Sequence, residues 1–350
     1  MAPSKQEGTA AMAAEQLGSM SLGESAEREE NETEPTNGTP TKMCSACGKK
    51  SDTLKKCRNC KCVWYCDKEC QNKHWKEHKK ECKRIKKELE KRGGKLDLGT
   101  EKDLGPLADL PPREECPICM QVLPIHEMLQ GYSACCGKTV CCGCDHQHQM
   151  TSRERRNSCA FCRTTLPKSD EEILARLRKR VELKDPIALV NLANDYGFGR
   201  LGLPVDHAKC IDLLRESAGL GFPAAQFQLG NYHGTGMMGL KKNAEEAFKY
   251  FKKAAEGGHL ASRHNIGAIE ANNGDVVAAM RHWRLSASGG YKNSIERLIA
   301  RFELGLLHHD DLAKTAQAFY RARAEMKSVD RDKFIAHLKM TGEYEAEYDH

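Results

Sequence analysis

Eight soft metal ligands follow one another between residues 44 and 82, and their spacing constrains the fold more than any other feature. In chain order they are Cys44, Cys47, Cys57, Cys60, Cys66, Cys70, His78 and Cys82. The first two pairs have the two-residue gap at which a tight turn directs two thiolates at one tetrahedral metal ion. The members of each of the last two pairs are four residues apart, which predicts one face of a helix. This order predicts two zinc ions held by interleaved pairs, the first with the third and the second with the fourth.

The cysteine content indicates metal ligation and not disulfide bonding. The chain has 18 Cys in 350 residues, but its N-terminus shows neither the basic start nor the apolar run of a secretory signal. No later stretch is long and apolar enough to cross a bilayer. We therefore expect a soluble protein without membrane contact, in the reducing cytoplasm and/or nucleus, whose thiolates bind zinc.

Changes in composition predict the domain borders. Residues 1–41 contain eight Glu, two basic residues and no aromatic residue, so we expect a disordered acidic tail. The predicted segments after it are a zinc module with a basic C-terminal helix at 42–92, a linker at 93–113, a second cysteine-rich module at 114–167, helical repeats at 168–325, and a C-terminal cap and tail at 326–350. The predicted fold is multidomain, with two small zinc-stabilised modules followed by an all-α solenoid.

The residues that accompany the first ligand set match a known pattern: Tyr65-Cys66, Cys70-Gln71 and His74-Trp75. With them, the module resembles a MYND-type zinc finger that has every ligand. The resemblance implies the same interleaving, with site 1 formed by Cys44, Cys47, Cys66 and Cys70, and site 2 by Cys57, Cys60, His78 and Cys82. MYND fingers bind short proline-containing peptides, and the apolar residues available for such a groove are Trp64, Tyr65 and Trp75. The alternative is that these aromatic residues only pack around the metal, because a module of about 40 residues buries too little core to fold unaided.

The first module is also strongly basic, with nineteen Lys and Arg against seven Asp and Glu between Lys42 and Lys95. Such a patch can contact phosphates, but phosphate contacts alone give weak, salt-sensitive binding. No motif for reading a nucleic-acid sequence accompanies the charge. We therefore do not expect nucleic acid as the partner and interpret the basic run as a solvated helix face.

A second cysteine cluster lies between residues 116 and 162. Its sequence contains Cys116-Pro-Ile-Cys119, then Cys135-Cys136, Cys141, Cys144 and Cys159-Ala-Phe-Cys162-Arg163. The cluster resembles a RING finger, another cross-braced module with two zinc ions. The resemblance implies site 3 on Cys116, Cys119, Cys141 and Cys144, and site 4 on Cys135, Cys136, Cys159 and Cys162. Four zinc ions per chain are then expected.

Two of these assignments have competitors in the sequence. Lys138 stands where many RING fingers carry a His ligand, so Cys135 is predicted to fill that place, and His146 and His148 are the competing candidates. Cys142 competes with Cys141 in the same way. Cys62 and Cys210 are left over, and Cys210 is predicted to be ordinary helix core.

RING fingers hold a ubiquitin-conjugating enzyme and orient its ubiquitin thioester. The resemblance therefore implies a RING-type ubiquitin-protein ligase with no catalytic nucleophile of its own. Ile118 matches the apolar contact to the conjugating enzyme, and Arg163 matches the cation that bridges this enzyme to ubiquitin, a role suited to a planar guanidinium. Ala160 stands where the last knuckle usually carries Pro. This departure favours the alternative, a non-enzymatic adaptor that joins protein partners.

The helical half carries an internal repeat. Small residues recur 37, 37 and 32 residues apart, at Ala188, Ala225, Ser262 and Ser294. A period of this size predicts stacked helix pairs, each closed by a glycine-rich turn. The pattern resembles Sel-1-like repeats, relatives of the tetratricopeptide class, with three clear copies and a degenerate fourth. The resemblance implies a concave face that binds a partner protein, and a lead-in helix is expected within 166–183.

Overall fold

The structure is a computed structural model of the 350-residue chain. The residues it describes are 44–47, 49, 51, 53–60, 63–91, 98, 109–126, 129–152 and 155–343. The predicted acidic tail, most of the predicted linker and Cys62 lie outside them. The chain divides into two compact units, and each is described by itself. The first contains residues 110–262 and 320–343, and the second contains 263–319 with the described residues of 44–109.

Helices dominate the described residues. The short strands are β1 (Lys55–Lys56), β2 (Trp64–Tyr65), β3 (Gln130–Ser133) and β4 (Lys138–Cys141). The helices are α1 (Lys68–Lys91), α2 (Cys142–Thr151), α3 (Asp170–Glu182), α4 (Pro186–Phe198), α5 (His207–Gly219), α6 (Pro223–Thr235), α7 (Ala244–Glu256), α8 (Leu260–Asn272), α9 (Val276–Ser288), α10 (Lys292–Glu303), α11 (His309–Glu325) and α12 (Val329–Thr341). A helix long and apolar enough to span a membrane is absent from this described part.

The first cysteine-rich module is a hairpin followed by a helix. Strands β1 and β2 pair antiparallel, with Lys55 opposite Tyr65. Helix α1 begins after Asp67, whose Oδ1 accepts a hydrogen bond of 2.9 Å from the backbone N–H of Cys70. The helical spacing predicted for Cys66 and Cys70 is therefore wrong in part, because Cys66 lies before the helix begins. The module still brings both residues to one point, since the turn at Asp67 folds Cys66 back over the first helical turn.

The second unit joins this module to helices of the repeat region through one buried cluster. The cluster includes Tyr65 and Ile85 of the module together with Trp283 of α9 and Leu298 of α10. Arg281 of α9 donates a hydrogen bond from Nε to the carbonyl oxygen of Leu98. The first cysteine-rich module thus shares its core with helices α9 and α10 of the repeat region.

The first unit joins the second cysteine-rich module to the first repeats in a comparable way. Strands β3 and β4 form an antiparallel hairpin ahead of α2. The hydroxyl of Tyr132 in β3 donates a hydrogen bond of 2.8 Å to Asp185, the residue that caps α4. Arg180 of α3 donates to the same carboxylate at 2.7 Å. Burial alone would raise the pKa of Asp185, but the hydrogen bonds from Arg180 and Tyr132 outweigh it and lower this pKa.

The predicted helix pairs are present, as α4 with α5 and α6 with α7 in this unit. Pro186 and Pro223 occupy the first turns of α4 and α6, where proline costs no hydrogen bond. Cys210 is fully buried beside Leu214 and Leu229, so the prediction that it is helix core is confirmed. Gly230 of α6 faces the buried Phe251 of α7, and a Cβ atom on Gly230 would lie 2.6 Å from Cε1 of that ring. The close approach of these two helices therefore depends on glycine.

The C-terminal helix α12 lies in the segment predicted to be a cap and tail. It packs against α2 of the second cysteine-rich module. Its apolar residues Phe334, Ile335 and Leu338 join Leu129 and Cys142 in a small buried cluster. The spacing of these apolar residues indicates that one side of α12 packs against another element, but it does not specify which element.

Replacing Gly230 with Ala should destabilise the repeats, although alanine ordinarily favours a helix. We expect a loss of about 1–3 kcal/mol in the free energy of unfolding, because the new methyl group overlaps a ring that has no space to move. Urea unfolding of the zinc-loaded chain measures the change. The matched control is Gly219→Ala in α5, where nothing lies within 4 Å of the added Cβ. Equal stabilities of the two variants would contradict the packing described above.

Candidate metal centres

The structure gathers the first eight ligands into two groups. Site 1 consists of Cys44, Cys47, Cys66 and Cys70, and site 2 consists of Cys57, Cys60, His78 and Cys82; in each, the ligand atoms lie within 4.8 Å of one another. The Sγ atoms of Cys57 and Cys82 are 3.6 Å apart, and Nε2 of His78 is 3.2 Å from Sγ of Cys60. A tetrahedral zinc ion with Zn–S bonds of about 2.3 Å needs sulfur atoms about 3.8 Å apart. The donor types and their separations therefore fit zinc.

The second cluster forms two further groups of four sulfur atoms. Site 3 consists of Cys116, Cys119, Cys141 and Cys144, and site 4 consists of Cys135, Cys136, Cys159 and Cys162. The Sγ separations are 3.8 Å for Cys119 and Cys141 and 4.0 Å for Cys136 and Cys159, which also suit a tetrahedral ion.

The competing ligands lie elsewhere in this module. The ring of His148 approaches Ser158, with Nε2 3.1 Å from its Oγ. His146 packs its ring against Phe334 and His337 of α12. Cys142 is buried in the cluster with Leu129 and Leu338 and is not one of the four sulfur atoms of site 3. The structure thus places Cys135 and Cys141 with the other ligands.

Three of the sites contain a thiol whose pKa is lowered to about 6 or 7. Burial opposes ionisation of Cys44, but backbone N–H groups of Ala46, Cys47 and Cys66 outweigh it and lower its pKa to about 6. Burial likewise opposes ionisation of Cys162, yet its hydrogen bonding with the side chain and backbone of Thr164 lowers its pKa to about 6. In site 3, backbone N–H groups of Cys141, Cys119 and Ile118 outweigh burial and lower the pKa of Cys116 to about 7. Zinc binds thiolates, so the lowered pKa of these three residues favours the ionised form that the metal binds.

Two further ligands of site 1, Cys66 and Cys70, are harder to ionise than a free thiol. Burial and the neighbouring thiols raise the pKa of Cys66 to about 11 and that of Cys70 to about 12. A bound Zn²⁺ supplies the positive charge that holds several thiolates together. These residues would hold zinc as a structural ion, which organises the turn and the first turn of α1.

The three residues predicted for a peptide groove do not share one environment. Trp64 and Trp75 are half-buried, and Nζ of Lys56 lies 5.0 Å from the ring centroid of Trp64. Tyr65 is 2% exposed, and its hydroxyl lies 2.9 Å from Nδ1 of His74. The ring of His74 in turn stacks on that of His78, a site 2 ligand. Tyr65 therefore belongs to the core that orients His78, and a groove would depend on the two tryptophans.

The residues predicted to contact a conjugating enzyme lie at the surface of the second module. Ile118 is 42% exposed, between two ligands of site 3. Arg163 is also exposed and has a left-handed backbone with φ of 64°. Its guanidinium contacts the ring of His148.

One residue close to a metal site has no counterpart in the sequence predictions. Arg331 of α12 is 2% exposed, and its Nη2 is 3.8 Å from Sγ of Cys119. Because 212 residues separate the two, no local spacing could connect them.

Comparisons with known proteins identify two of the modules. A family model for the MYND finger matches residues 44–82, and one for the Sel1 repeat matches residues 186–222 and 223–259. The chain contains a MYND finger and Sel1 repeats. Both predictions are confirmed. The matched ranges do not include the second cysteine cluster, so its resemblance to a RING finger stays a prediction.

Curated relatives share a short segment with this chain. The histone-lysine N-methyltransferase ASHR1 of Arabidopsis thaliana is 44% identical over 59 residues, which are 17% of this chain and 12% of that protein. A SET and MYND domain-containing protein of Dictyostelium discoideum is 64% identical over 31 residues, which are 9% of this chain and 6% of that protein. The chain thus spans 12% or less of the length of these relatives.

Among solved structures, this chain is similar to the Sel1 repeat protein from Oxalobacter formigenes. The two have a TM-score of 0.40 and 23% sequence identity, and the similarity covers 51% of this chain and 73% of the other. A protective antigen of uropathogenic Escherichia coli with an SLR fold gives a TM-score of 0.38 at 20% identity, covering 52% of this chain and 39% of that one.

The zinc content of purified variants tests the ligand assignment. We expect four zinc ions per chain and three after Cys135→Ser, because site 4 then has three sulfur ligands. His146→Ala and His148→Ala are the matched controls and should keep four. Elemental analysis against protein concentration gives the number. A loss of zinc from either histidine variant, with Cys135→Ser unaffected, would assign the fourth ligand of site 4 to a histidine.

Proposed function

We propose that this protein is a non-enzymatic adaptor that joins two protein partners, one at the MYND finger and the other on the Sel1 repeats. MYND fingers and Sel1 repeats generally mediate protein–protein interaction, and their presence together in one chain is the observation that carries the proposal. Reduced cysteine ligands suit the cytoplasm and/or nucleus, where we place the protein.

The MYND finger offers two indole rings to a proline-containing peptide. Trp64 and Trp75 both keep part of their surface exposed, whereas the neighbouring Tyr65 is committed to the core. Proline-rich peptides are already extended before binding and dock on aromatic faces at little entropic cost. The side chain of Lys56 next to Trp64 adds a cation that suits an acidic residue in the same peptide.

The Sel1 repeats offer amide side chains at equivalent positions of successive repeats. Asn191 and Gln228 are 37 residues apart, as are Asn194 and Asn231. Asn191, Asn194 and Asn231 keep part of their surface exposed, whereas Gln228 is buried. An amide both donates and accepts, so such a series matches the backbone of an extended partner segment. We assign the second partner to these repeats on that basis.

Replacing Trp64 or Trp75 with Ala should weaken peptide binding about tenfold or more, since a buried aromatic contact contributes about 1–2 kcal/mol or more to an interface. A synthetic peptide with the sequence of residues 106–111 of this chain, Pro-Leu-Ala-Asp-Leu-Pro, is a suitable probe together with a library of proline-containing peptides. Isothermal titration calorimetry on the full zinc-loaded chain measures the Kd.

Lys73→Ala is the control for this experiment, because Lys73 is exposed on α1 and leaves both tryptophans intact. Its Kd should equal that of the unmodified chain. If no proline-containing peptide binds, or if the tryptophan variants bind as well as the control, the finger does not act through this groove.

A second candidate function is a RING-type ubiquitin-protein ligase. The observation that favours it is the surface of the second module, where Ile118 and Phe161 are exposed large apolar residues in the two knuckles that carry Cys116 with Cys119 and Cys159 with Cys162. Arg163 is exposed directly after the last of these ligands. An exposed apolar pair with an adjacent guanidinium suits the docking of a conjugating enzyme.

Autoubiquitination with a panel of conjugating enzymes tests this candidate. If the module is a ligase, the unmodified chain should form ubiquitin chains, and Ile118→Ala or Arg163→Ala should reduce the rate at least tenfold, because each removes one contact. Met150→Ala serves as a control, since Met150 is exposed on the same module outside both knuckles. If the unmodified chain is inactive with every conjugating enzyme, the adaptor proposal alone remains.

A further inference from the structure

The buried guanidinium of Arg331 is held by the second cysteine-rich module. Its Nη1 donates hydrogen bonds of 2.7 Å to the carbonyl oxygen of Val122 and 2.5 Å to that of Met326. Its Nη2 lies 3.8 Å from Sγ of Cys119, within the range of a hydrogen bond to sulfur. Arg331 therefore reaches from the first turn of α12 to a ligand of site 3.

Among the described residues, no carboxylate balances the charge of this guanidinium. Within the described residues Arg331 makes no ion pair, and the adjacent Asp330 pairs with Lys333 at 3.2 Å. An isolated cation that is 2% exposed is strongly unfavourable unless a negative group faces it. The nearest candidate is site 3 itself, because four thiolates around one Zn²⁺ have a net charge of about −2.

The backbone of α2 also lies in close contact with the first turn of α12. Gly143 lies in α2 between the site 3 ligands Cys141 and Cys144, and a Cβ atom there would be 2.6 Å from the backbone N of Arg331 and 2.8 Å from the carbonyl carbon of Asp330. The first turn of α12 thus rests directly on the ligand-bearing segment. Further along α12, Phe334 and Leu338 cover Leu129 and Cys142 of the same module.

We propose that site 3 holds a zinc ion whose negatively charged ligand set is balanced by Arg331, so that the C-terminal helix docks on this module only when the ion is bound. Arg331 is a positioning residue. It is not itself a metal ligand, and its hydrogen bond to the sulfur atom of Cys119 holds that ligand in place. Loss of the ion takes the sulfur atoms out of their tetrahedral arrangement and removes the acceptor and the charge that Arg331 faces. Helix α12 is then released, and it exposes the apolar side chains that it had buried. This coupling of metal and helix requires no partner protein and stands apart from the proposed adaptor function.

The release of zinc from the full-length, zinc-loaded chain tests the proposal. Arg331→Met keeps the packing volume and removes the charge, and we expect one of the four ions to leave about 10-fold faster or more when a chromophoric chelator is added. Arg331→Lys restores the charge without the planar fork, so its rate should lie between those of the unmodified chain and Arg331→Met. Lys339→Met removes a charge from an exposed position of the same helix and keeps the pair of Asp330 and Lys333; it is the matched control and should release all four ions at the unmodified rates.

Amide hydrogen exchange of residues 329–341 provides a second readout. In Arg331→Met, these amides should lose their protection from exchange. In the unmodified chain, the same protection should disappear when the ion leaves site 3. If Arg331→Met fails to fold, Leu338→Ala replaces it, because this change loosens α12 by removing an apolar contact and leaves the charge in place; it should also speed the release of one ion. The proposal is overturned if Arg331→Met releases zinc at the unmodified rate, if α12 loosens in Leu338→Ala without any change in zinc release, or if α12 stays protected after its module has lost zinc.

Discussion

The clustering of cysteine and histidine side chains at four points is the constraint on which the rest of the structure depends. Strands β1 and β2 are two residues long, and a hairpin of that size has no stability of its own in water. In the finger, Cys57 and Cys60 lie between these strands and face His78 and Cys82 on α1. Coordination would therefore hold the hairpin on the helix, and the few apolar residues, such as Val63 and Ile85, pack around a frame that the ligands set.

Each cysteine-rich module extends this frame by sharing a core with helices. The finger packs with α9 and α10 in one unit, through Trp283 and Leu298. In the other unit, the second module contacts the cap of α4 through Tyr132 and receives α12 through Arg331 and Leu338. Small zinc modules bury little surface alone, so such packing adds stability that a free module would lack. We therefore expect metal loading to stabilise this packing as well.

Much of the fold could be predicted because its signals are local. Ligand spacings of two and four residues follow directly from turn and helix geometry, and a period near 37 residues follows from the length of a helix pair with its turns. The prediction for Cys66 was wrong in part because the same four-residue spacing is met by a turn that enters a helix. Tyr65 was predicted for a groove because an aromatic residue next to a ligand has the same sequence pattern whether it faces solvent or the core. Its hydrogen-bonding distance to His74 decides for the core.

By itself, the sequence determined the eight ligand positions of the MYND finger, the helix pairs and the order of the modules, since each depends on residues that are close along the chain. It also predicted two further groups of four sulfur ligands, which the fold brings together. Tertiary structure alone decided which surfaces the modules cover. Helix α12 has only the apolar residues Phe334, Ile335 and Leu338 to mark a buried side, and the fold alone places Arg331 beside Cys119, more than two hundred residues away. The free energy of a buried charge depends on the group that faces it, and packing in three dimensions decides which group that is.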